Sequence, residues 1–398
     1  MDFSPFSTVT LPSIRFGAGT LMELPALLAE YGRKVLLLTG GRSFVSSHYW
    51  APLQAELARE GVAFVHDTIS GEPSPQRVDE LVAEYRNSGI EAVVGIGGGS
   101  VLDAAKAVAG LLPFGNSVLD HLEDVGKGLP YTGPALPFIA VPTTAGTGSE
   151  ATKNAVLSEH GARGYKKSFR HDTLVAKVAL IDPQLLQACP PDLIASQGMD
   201  AFTQLLESYV SLRANPFSDA LAWSGLEAVS EGFMAAYHGG NGDEAAQGRA
   251  AMAYAALLSG ITLAQVGLGS VHGLAQPLGS LFPLPHGVAC GTTVATATRI
   301  NIEALRQRLP QSPALEKYAR SGRLLSGEPM LPQYEAQEAL VAVLEQWSEQ
   351  LALPRLGHYG INEENIPQIV ANSRGNSMKT NPVALSDEEI GAIIRSRL

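Results

Sequence analysis

The chain has 398 residues, 45% of them hydrophobic and only 17% charged, so it carries a large buried interior and exceeds the size that one core usually serves. Its formal charge of −11 argues against nucleic acid or an anionic membrane surface as the partner. Cys189 and Cys290 are too few for a disulfide framework and read as buried thiols of a reducing compartment.

The opening stretch MDFSPFSTVTLPSIRFGAG has no basic start followed by an apolar run, and no window reaches the roughly 18 uninterrupted apolar residues of a membrane span. A soluble, cytoplasmic protein is the expectation. The first element is a buried strand over 34–39 that ends in Gly40-Gly41. A helical pattern over 53–60 follows, then a short strand over 62–65 stopped by the polar pair His66-Asp67. A helix over 78–87, a strand over 92–96, a helix over 101–112 and a strand over 138–141 continue the alternation. Strands alternating with helices predict a parallel sheet covered on both faces.

After Asp182-Pro183 the pattern changes. Pro190-Pro191-Asp192 reads as a helix start, and from there apolar residues recur mainly at helical spacing. The stretch 250–265 is apolar nearly all round, as expected inside a helical bundle, and Gly239-Gly240-Asn241-Gly242 reads as a surface loop. The boundary falls near residue 188, giving an α/β domain over 1–188 and an all-helical domain over 189–398.

Two loops in the first part suit a phosphate. Gly95-Ile96-Gly97-Gly98-Gly99-Ser100 lies between a strand and a helix, where glycines permit close backbone approach and the helix N-terminus offers free N–H groups. Pro142 to Glu150, PTTAGTGSE, also follows a strand and is dense in hydroxyls and glycines. At the carboxyl ends of parallel strands the two could converge on one crevice, with a pyrophosphate-bearing cofactor as the natural occupant. Either loop alone could be a tight turn that binds nothing.

The second part holds candidate metal ligands. SVHGLAQPLGSLFPLPHGVAC, from Ser270 to Cys290, places His272 and His286 fourteen residues apart on an apolar helix and the turn after it, with Cys290 close by. Upstream, Asp200 and Gln204 stand at i, i+4 and project from one helical face. One carboxylate, one amide and two imidazoles make a donor set for a divalent metal. Taken singly, a helical Asp is more often a cap or a solvated residue, a buried Gln more often satisfies backbone groups, and a His is more often a structural hydrogen-bonding residue. His48, His66, His121, His160, His171, His238 and His358 have no ligand-like spacing and read as structural or surface residues.

Four motifs in order, GIGGGSVLDAAKAVAG, AVPTTAGTGSEAT, the Asp200 segment and VHGLAQPLGSLFPLPHG, closely resemble the iron-containing (group III) alcohol dehydrogenase family. The likeness runs from IRFGAGTLMELP to the ending SMKTNPVALSDEEIGAII. It implies an N-terminal domain that binds a nicotinamide dinucleotide, an all-helical C-terminal domain that holds iron(II) or zinc, and a cleft between them as the active site. By resemblance, Gly97, Gly98 and Ser100 contact the pyrophosphate and Asp103 lies on the helix that follows. Thr143, Thr144 and Thr147 line the cofactor, and Lys166 reaches its ribose. The family's metal ligands, one Asp and three His, fall on Asp200, Gln204, His272 and His286.

Two residues depart from the family pattern. Gln204 stands where a ligand histidine is usual, and an amide oxygen is a poorer donor to iron(II) or zinc than imidazole. Gln276 stands where the family usually has a further histidine associated with proton movement near the substrate, and an amide cannot titrate. After the first strand, Thr39-Gly40-Gly41-Arg42-Ser43 has no carboxylate to repel a 2′-phosphate, while Arg42 could pair with one, so NADP is favoured over NAD.

The activity implied is reversible hydride transfer between the nicotinamide and a primary alcohol or aldehyde, with a metal polarising the oxygen. His272 and Gln276 stand nearest that chemistry, and Phe202, Gln204, Gln276 and Phe282 would give an apolar pocket with amide ends. A metal-free carbonyl reductase like maleylacetate reductase is the main competing reading, and a non-catalytic nucleotide-binding protein is another. Relatives of the dehydroquinate synthase group need several basic side chains for a substrate phosphate, and the ligand segments show none. Homodimerisation is implied by resemblance alone.

Overall fold

The computed structural model describes residues 5–122, 125–159 and 164–398, so His160 lies outside the described residues. Val9–Cys189 forms one compact unit, and Pro190–Leu398, with the described residues preceding Val9, forms the other.

The first unit is built on strands β1 (Ser13–Phe16), β2 (Lys34–Gly40), β3 (Ala63–Ile69), β4 (Ala92–Gly97), β5 (Phe138–Pro142) and, after a hairpin of β6 (Asn154–Glu159) and β7 (Tyr165–Arg170), β8 (Val178–Ile181). Among the described residues the main sheet is parallel and six-stranded, in the order β1-β8-β5-β4-β2-β3. Helices α1 (Leu24–Tyr31), α2 (Trp50–Arg59), α3 (Pro75–Tyr85) and α4 (Gly99–Leu111) connect the early strands. Alternate residues of β2 serve the two faces: Leu36 and Leu38 join one buried cluster, Val35 and Leu37 the other. Central β4 and β5 are buried at every residue, which is why they read as unbroken apolar runs.

Strand β3 does not stop at His66-Asp67 but runs on to Ile69. It is an edge strand whose half-buried positions accept polar side chains that find partners. His66 Nε2 lies 2.9 Å from Thr39 Oγ1 on the neighbouring strand, and Asp67 accepts from Arg77 and Tyr85 of α3 at 2.5 and 3.2 Å.

The second unit is helical: α5 (Pro191–Val210), α6 (Pro216–His238), α7 (Asp243–Val266), α8 (Ser270–Leu281), α9 (His286–Arg308), α10 (Pro313–Ser326), α11 (Gln333–Gln350), α12 (Ile366–Asn372) and α13 (Asp387–Arg395). Helix α7 is long and apolar enough to cross a membrane by length and composition, but 67% of its apolar window is buried inside the unit, which makes it a core helix. Gly239 to Gly242 form the exposed loop between α6 and α7. His286, expected in a turn, is the first residue of α9.

Candidate active site

In the α/β unit the two glycine loops leave neighbouring strands side by side. Strands β4 and β5 pair in register up to Gly97↔Pro142, and Thr143 N–H donates to Gly97 O at 2.9 Å. The loops then pack on each other. A Cβ on Gly98 would lie 3.2 Å from Thr144 Oγ1, and one on Gly99 would lie 2.7 Å from Thr147 Oγ1. Glycine is required there for contact between the loops. Helix α4 starts at this point with Gly98 as N-cap and no side-chain cap; Val101 N–H turns back to Gly98 O at 3.0 Å, and the N–H groups of Gly99 and Ser100 are left to a ligand. The chain passes from β2 outward to β3 and returns to β4 on the other side of β2, so the crevice beyond the carboxyl ends of β2 and β4 is a topological switch point. Gly40 closes β2 there, and Gly41, Arg42 and Ser43 follow it, exposed.

Asp103 and Lys106, on α4, hold the second loop in place. Asp103 Oδ1 accepts from Ser149 Oγ at 2.5 Å. Lys106, wholly buried, donates to Ser149 O, Thr152 Oγ1 and Asn154 O at 2.9, 3.2 and 2.6 Å. Lys166, on β7, is paired with Glu72 at 2.7 Å, and the other oxygen of Glu72 accepts from Ser158 Oγ at 2.5 Å.

In the helical unit, α5 carries Asp200, Gln204 and Glu207 on successive turns, all buried. Helix α9 lies against α5 through two glycines one turn apart. A Cβ on Gly287 would stand 2.4 Å from Ser196 O, and one on Gly291 would stand 2.9 Å from Met199 Cβ. The residue before each glycine thereby reaches Asp200 or its histidine partners. His286 Nε2 is 3.7 Å from Asp200 Oδ1, and Cys290 Sγ is 3.9 Å from His286 Nε2 and 3.6 Å from His272 Nε2.

His272 arrives from α8, and its setting depends on how that helix begins. Gly269 precedes α8 and supplies no side-chain cap. Distant side chains accept instead: Asn381 Oδ1 from Ser270 N–H at 3.0 Å and Glu207 Oε1 from Val271 N–H at 2.7 Å. The other Glu207 oxygen lies 2.7 Å from His272 Nδ1, which turns Nε2 toward Asp200 Oδ1 at 3.2 Å. A Cβ at Gly269 would meet both acceptors at 2.8 Å, so glycine clears the space for them.

Asp200, His272, His286 and Cys290 each offer one ligand atom, and these atoms all lie within 4.8 Å of one another. Asp200 is fully buried and its Oδ2 has no hydrogen-bond partner among the described residues. A buried carboxylate oxygen left open beside two imidazoles and a thiol fits a bound cation. Burial alone would raise the Asp200 pKa, but His286 and His272 hold it below the usual carboxylate range. Burial likewise opposes a charged His272, yet Cys290 and the hydrogen bonds to Asp200 and Glu207 hold its pKa well above the usual histidine range. Burial pushes the Cys290 thiol up to about 12.

Gln204 keeps its place one turn after Asp200, with Oε1 accepting from Ser259 Oγ at 2.7 Å. Gln276 follows His272 by one turn, half-buried beside Gly375. Glu207 is the site residue that sequence reasoning passed over, and Cys290 was placed near the site but not among its donors. Both were visible as spacing: His286 and Cys290 at i, i+4 once α9 is seen to start at His286, and Asp200 and Glu207 at i, i+7 on one helix face.

The family model for iron-containing alcohol dehydrogenases matches residues 12–183, and the model for the C-terminal part of that family matches residues 194–398. The chain is 30% identical to alcohol dehydrogenase 4 of Schizosaccharomyces pombe, over 99% of this chain and 90% of that protein. It is 31% identical to long-chain-alcohol dehydrogenase 1 of Geobacillus thermodenitrificans, over 96% and 94% of the two chains. Among solved structures it resembles an archaeal halo-thermophilic alcohol dehydrogenase from a Red Sea brine pool, with a TM-score of 0.88 and 29% identity over 100% of this chain and 99% of the other.

Proposed function

The chain belongs to the iron-containing alcohol dehydrogenase family and is an NAD(P)-dependent oxidoreductase of alcohols and aldehydes; we propose that Asp200, His272 and His286 hold its divalent metal and that its dinucleotide is NADP. The observation that carries the first part is the convergence of three ligand atoms from α5, α8 and α9 on one buried point, with an open Asp200 oxygen among them.

When bound, the metal supplies Lewis-acid polarisation of the substrate oxygen, and the nicotinamide supplies or accepts the hydride. The side chains do the positioning. Glu207 accepts a hydrogen bond from His272 Nδ1–H and so makes Nε2 the ring atom that faces the cluster. In this reading Gly97, Gly98 and Ser100 cradle the pyrophosphate at the start of α4, and Thr143, Thr144 and Thr147 form the opposite wall. Asp103 is a positioning residue that fixes this second loop through Ser149. Lys166 reaches a ribose only by sharing its charge with Glu72. Gln276, one turn after His272, donates or accepts a hydrogen bond toward a small alcohol or aldehyde but moves no proton.

The test is metal content by mass spectrometry after anaerobic loading with iron(II) or zinc and desalting, together with turnover of primary alcohols with NADP and NAD. About one metal per chain, lost with activity in His272→Ala while dinucleotide affinity stays unchanged, is the expected result. Full turnover by a protein that retains no metal would overturn the metal assignment and leave a metal-free reductase.

A further inference from the structure

We propose that Cys290 is the fourth protein ligand of this metal centre, in the place that the amide of Gln204 would otherwise take, and that the resulting Asp-His-His-Cys set prefers zinc to iron(II). The inference rests on the metal reading above and concerns the identity of its fourth donor.

Three observations carry it. Four of the six ligand-atom separations lie near the edges of a small tetrahedron, 3.2 Å from His272 to Asp200, 3.7 Å from His286 to Asp200, and 3.6 and 3.9 Å from Cys290 to the two imidazoles, and all six are within 4.8 Å. A tetrahedral centre with bonds of about 2.0–2.3 Å has edges of roughly 3.3–3.6 Å, so a small inward movement completes it. Next, Cys290 is fully buried, and the packing that delivers it is specific. Gly287 and Gly291 bring α9 onto the backbone of α5, and the residue before each glycine is a donor. Last, the amide oxygen of Gln204 is engaged by Ser259, a partner that belongs to α7 and not to the cluster.

The chemistry of the exchange is simple. Coordination replaces the S–H bond of Cys290 with an S–metal bond and releases that proton to solvent. A thiolate is softer than an amide oxygen or an imidazole, and this donor set is of the kind that selects zinc.

Cobalt(II) titration of the full chain reads the ligand directly, because a coordinated thiolate produces a near-ultraviolet sulfur-to-cobalt charge-transfer band. The expected result is one cobalt per chain with that band, abolished in Cys290→Ser, retained in Gln204→Ala and retained in the control Cys189→Ser. Cobalt affinity in Cys290→Ser should fall on the order of 100-fold, and the zinc-over-iron preference should fall with it. The wild-type spectrum tests the ligand without relying on any variant's folding. One cobalt per chain bound without the band would overturn the Cys290 assignment while leaving the metal centre in place. Failure of the wild-type chain to retain cobalt or zinc would overturn the metal reading and this inference with it.

Discussion

The carboxylate of Glu207 and the imidazole of His272 are joined at 2.7 Å, and the same carboxylate accepts the backbone N–H of Val271 at 2.7 Å. Both partners are donors. An amide at position 207 has a single accepting oxygen and must face one of them with its own N–H. Glu207→Gln should therefore loosen either the start of α8 or the ring that it delivers, and in both cases weaken the metal site. Zinc affinity, measured by competition with a chelator, should drop about 10–100-fold. Unchanged affinity would mean that Glu207 serves only the helix terminus.

The α5–α9 contact leads to an ordering of two glycine substitutions. Alanine normally favours a helix over glycine by about 1 kcal/mol, so propensity alone would make both Gly287→Ala and Gly291→Ala stabilising. At Gly287 the new Cβ would stand 2.4 Å from a backbone oxygen, which cannot rotate away, whereas at Gly291 it would meet Met199 and Leu353 side-chain atoms at 2.9 Å. Overpacking of that kind costs about 1–3 kcal/mol. Gly287→Ala should lower the urea midpoint and reduce cobalt or zinc affinity, with Gly291→Ala milder in both. Two stabilised variants would show that the helices separate freely.

How far the sequence spoke for itself follows from the same geometry. The strand–glycine–helix unit around Gly97 was legible because burial made β4 a continuous apolar run, and α5, buried at every residue from Gly198 to Val210, was legible from its Pro190-Pro191-Asp192 start. Strand β1 is exposed along its whole length and carries no apolar signal, and the hairpin of β6 and β7 is largely polar. Strand β3 was cut short at His66-Asp67 because polar pairs usually end strands, and at a sheet edge with Thr39 and Arg77 in reach they do not. Cys290 was missed as a donor for a local reason: with His286 assigned to a turn, its i, i+4 relation to Cys290 had no meaning. Glu207 escaped notice because its two partners, Val271 and His272, lie more than sixty residues away along the chain.

The second glycine loop gives a pH prediction. Glu150 is 3% exposed, and burial raises its pKa from the ordinary 4.5 to about 7 despite the nearby Lys106 cation. Below pH 4.5 the group is protonated in both folded and unfolded chains and contributes no pH dependence. As pH rises from 4.5 to about 7 the unfolded chain loses this proton while the folded one keeps it, so stability falls, by roughly 3 kcal/mol at most. Above that window the penalty is constant. Glu150→Gln removes the titration. Its urea midpoint should gain on that of the wild type across the window and stay ahead at higher pH. Parallel midpoints from pH 4.5 to 8 would show that Lys106 holds Glu150 ionised.

The choice of dinucleotide turns on the loop after β2. Gly40 ends the strand at the carboxyl edge of the sheet, and Gly41, Arg42 and Ser43 stand exposed beyond it, with no carboxylate among them. An adenosine ribose seated at the switch point would present its 2′ position to this loop. A 2′-phosphate there meets a guanidinium and a hydroxyl, and nothing in the loop repels it. A charge-assisted hydrogen bond of this kind contributes about 1.5–3 kcal/mol, which corresponds to roughly 10- to 100-fold in affinity. The wild-type chain should therefore show a higher kcat/KM with NADP than with NAD. Arg42→Asp replaces attraction with repulsion and supplies an acceptor for the ribose hydroxyls, so it should reverse the preference by at least the same factor. The gain of NAD turnover is the decisive reading, because a variant that had merely lost folding would lose both cofactors. A wild-type preference for NAD that Arg42→Asp leaves untouched would mean that Arg42 stays in solvent and that the ribose is read elsewhere on the loop.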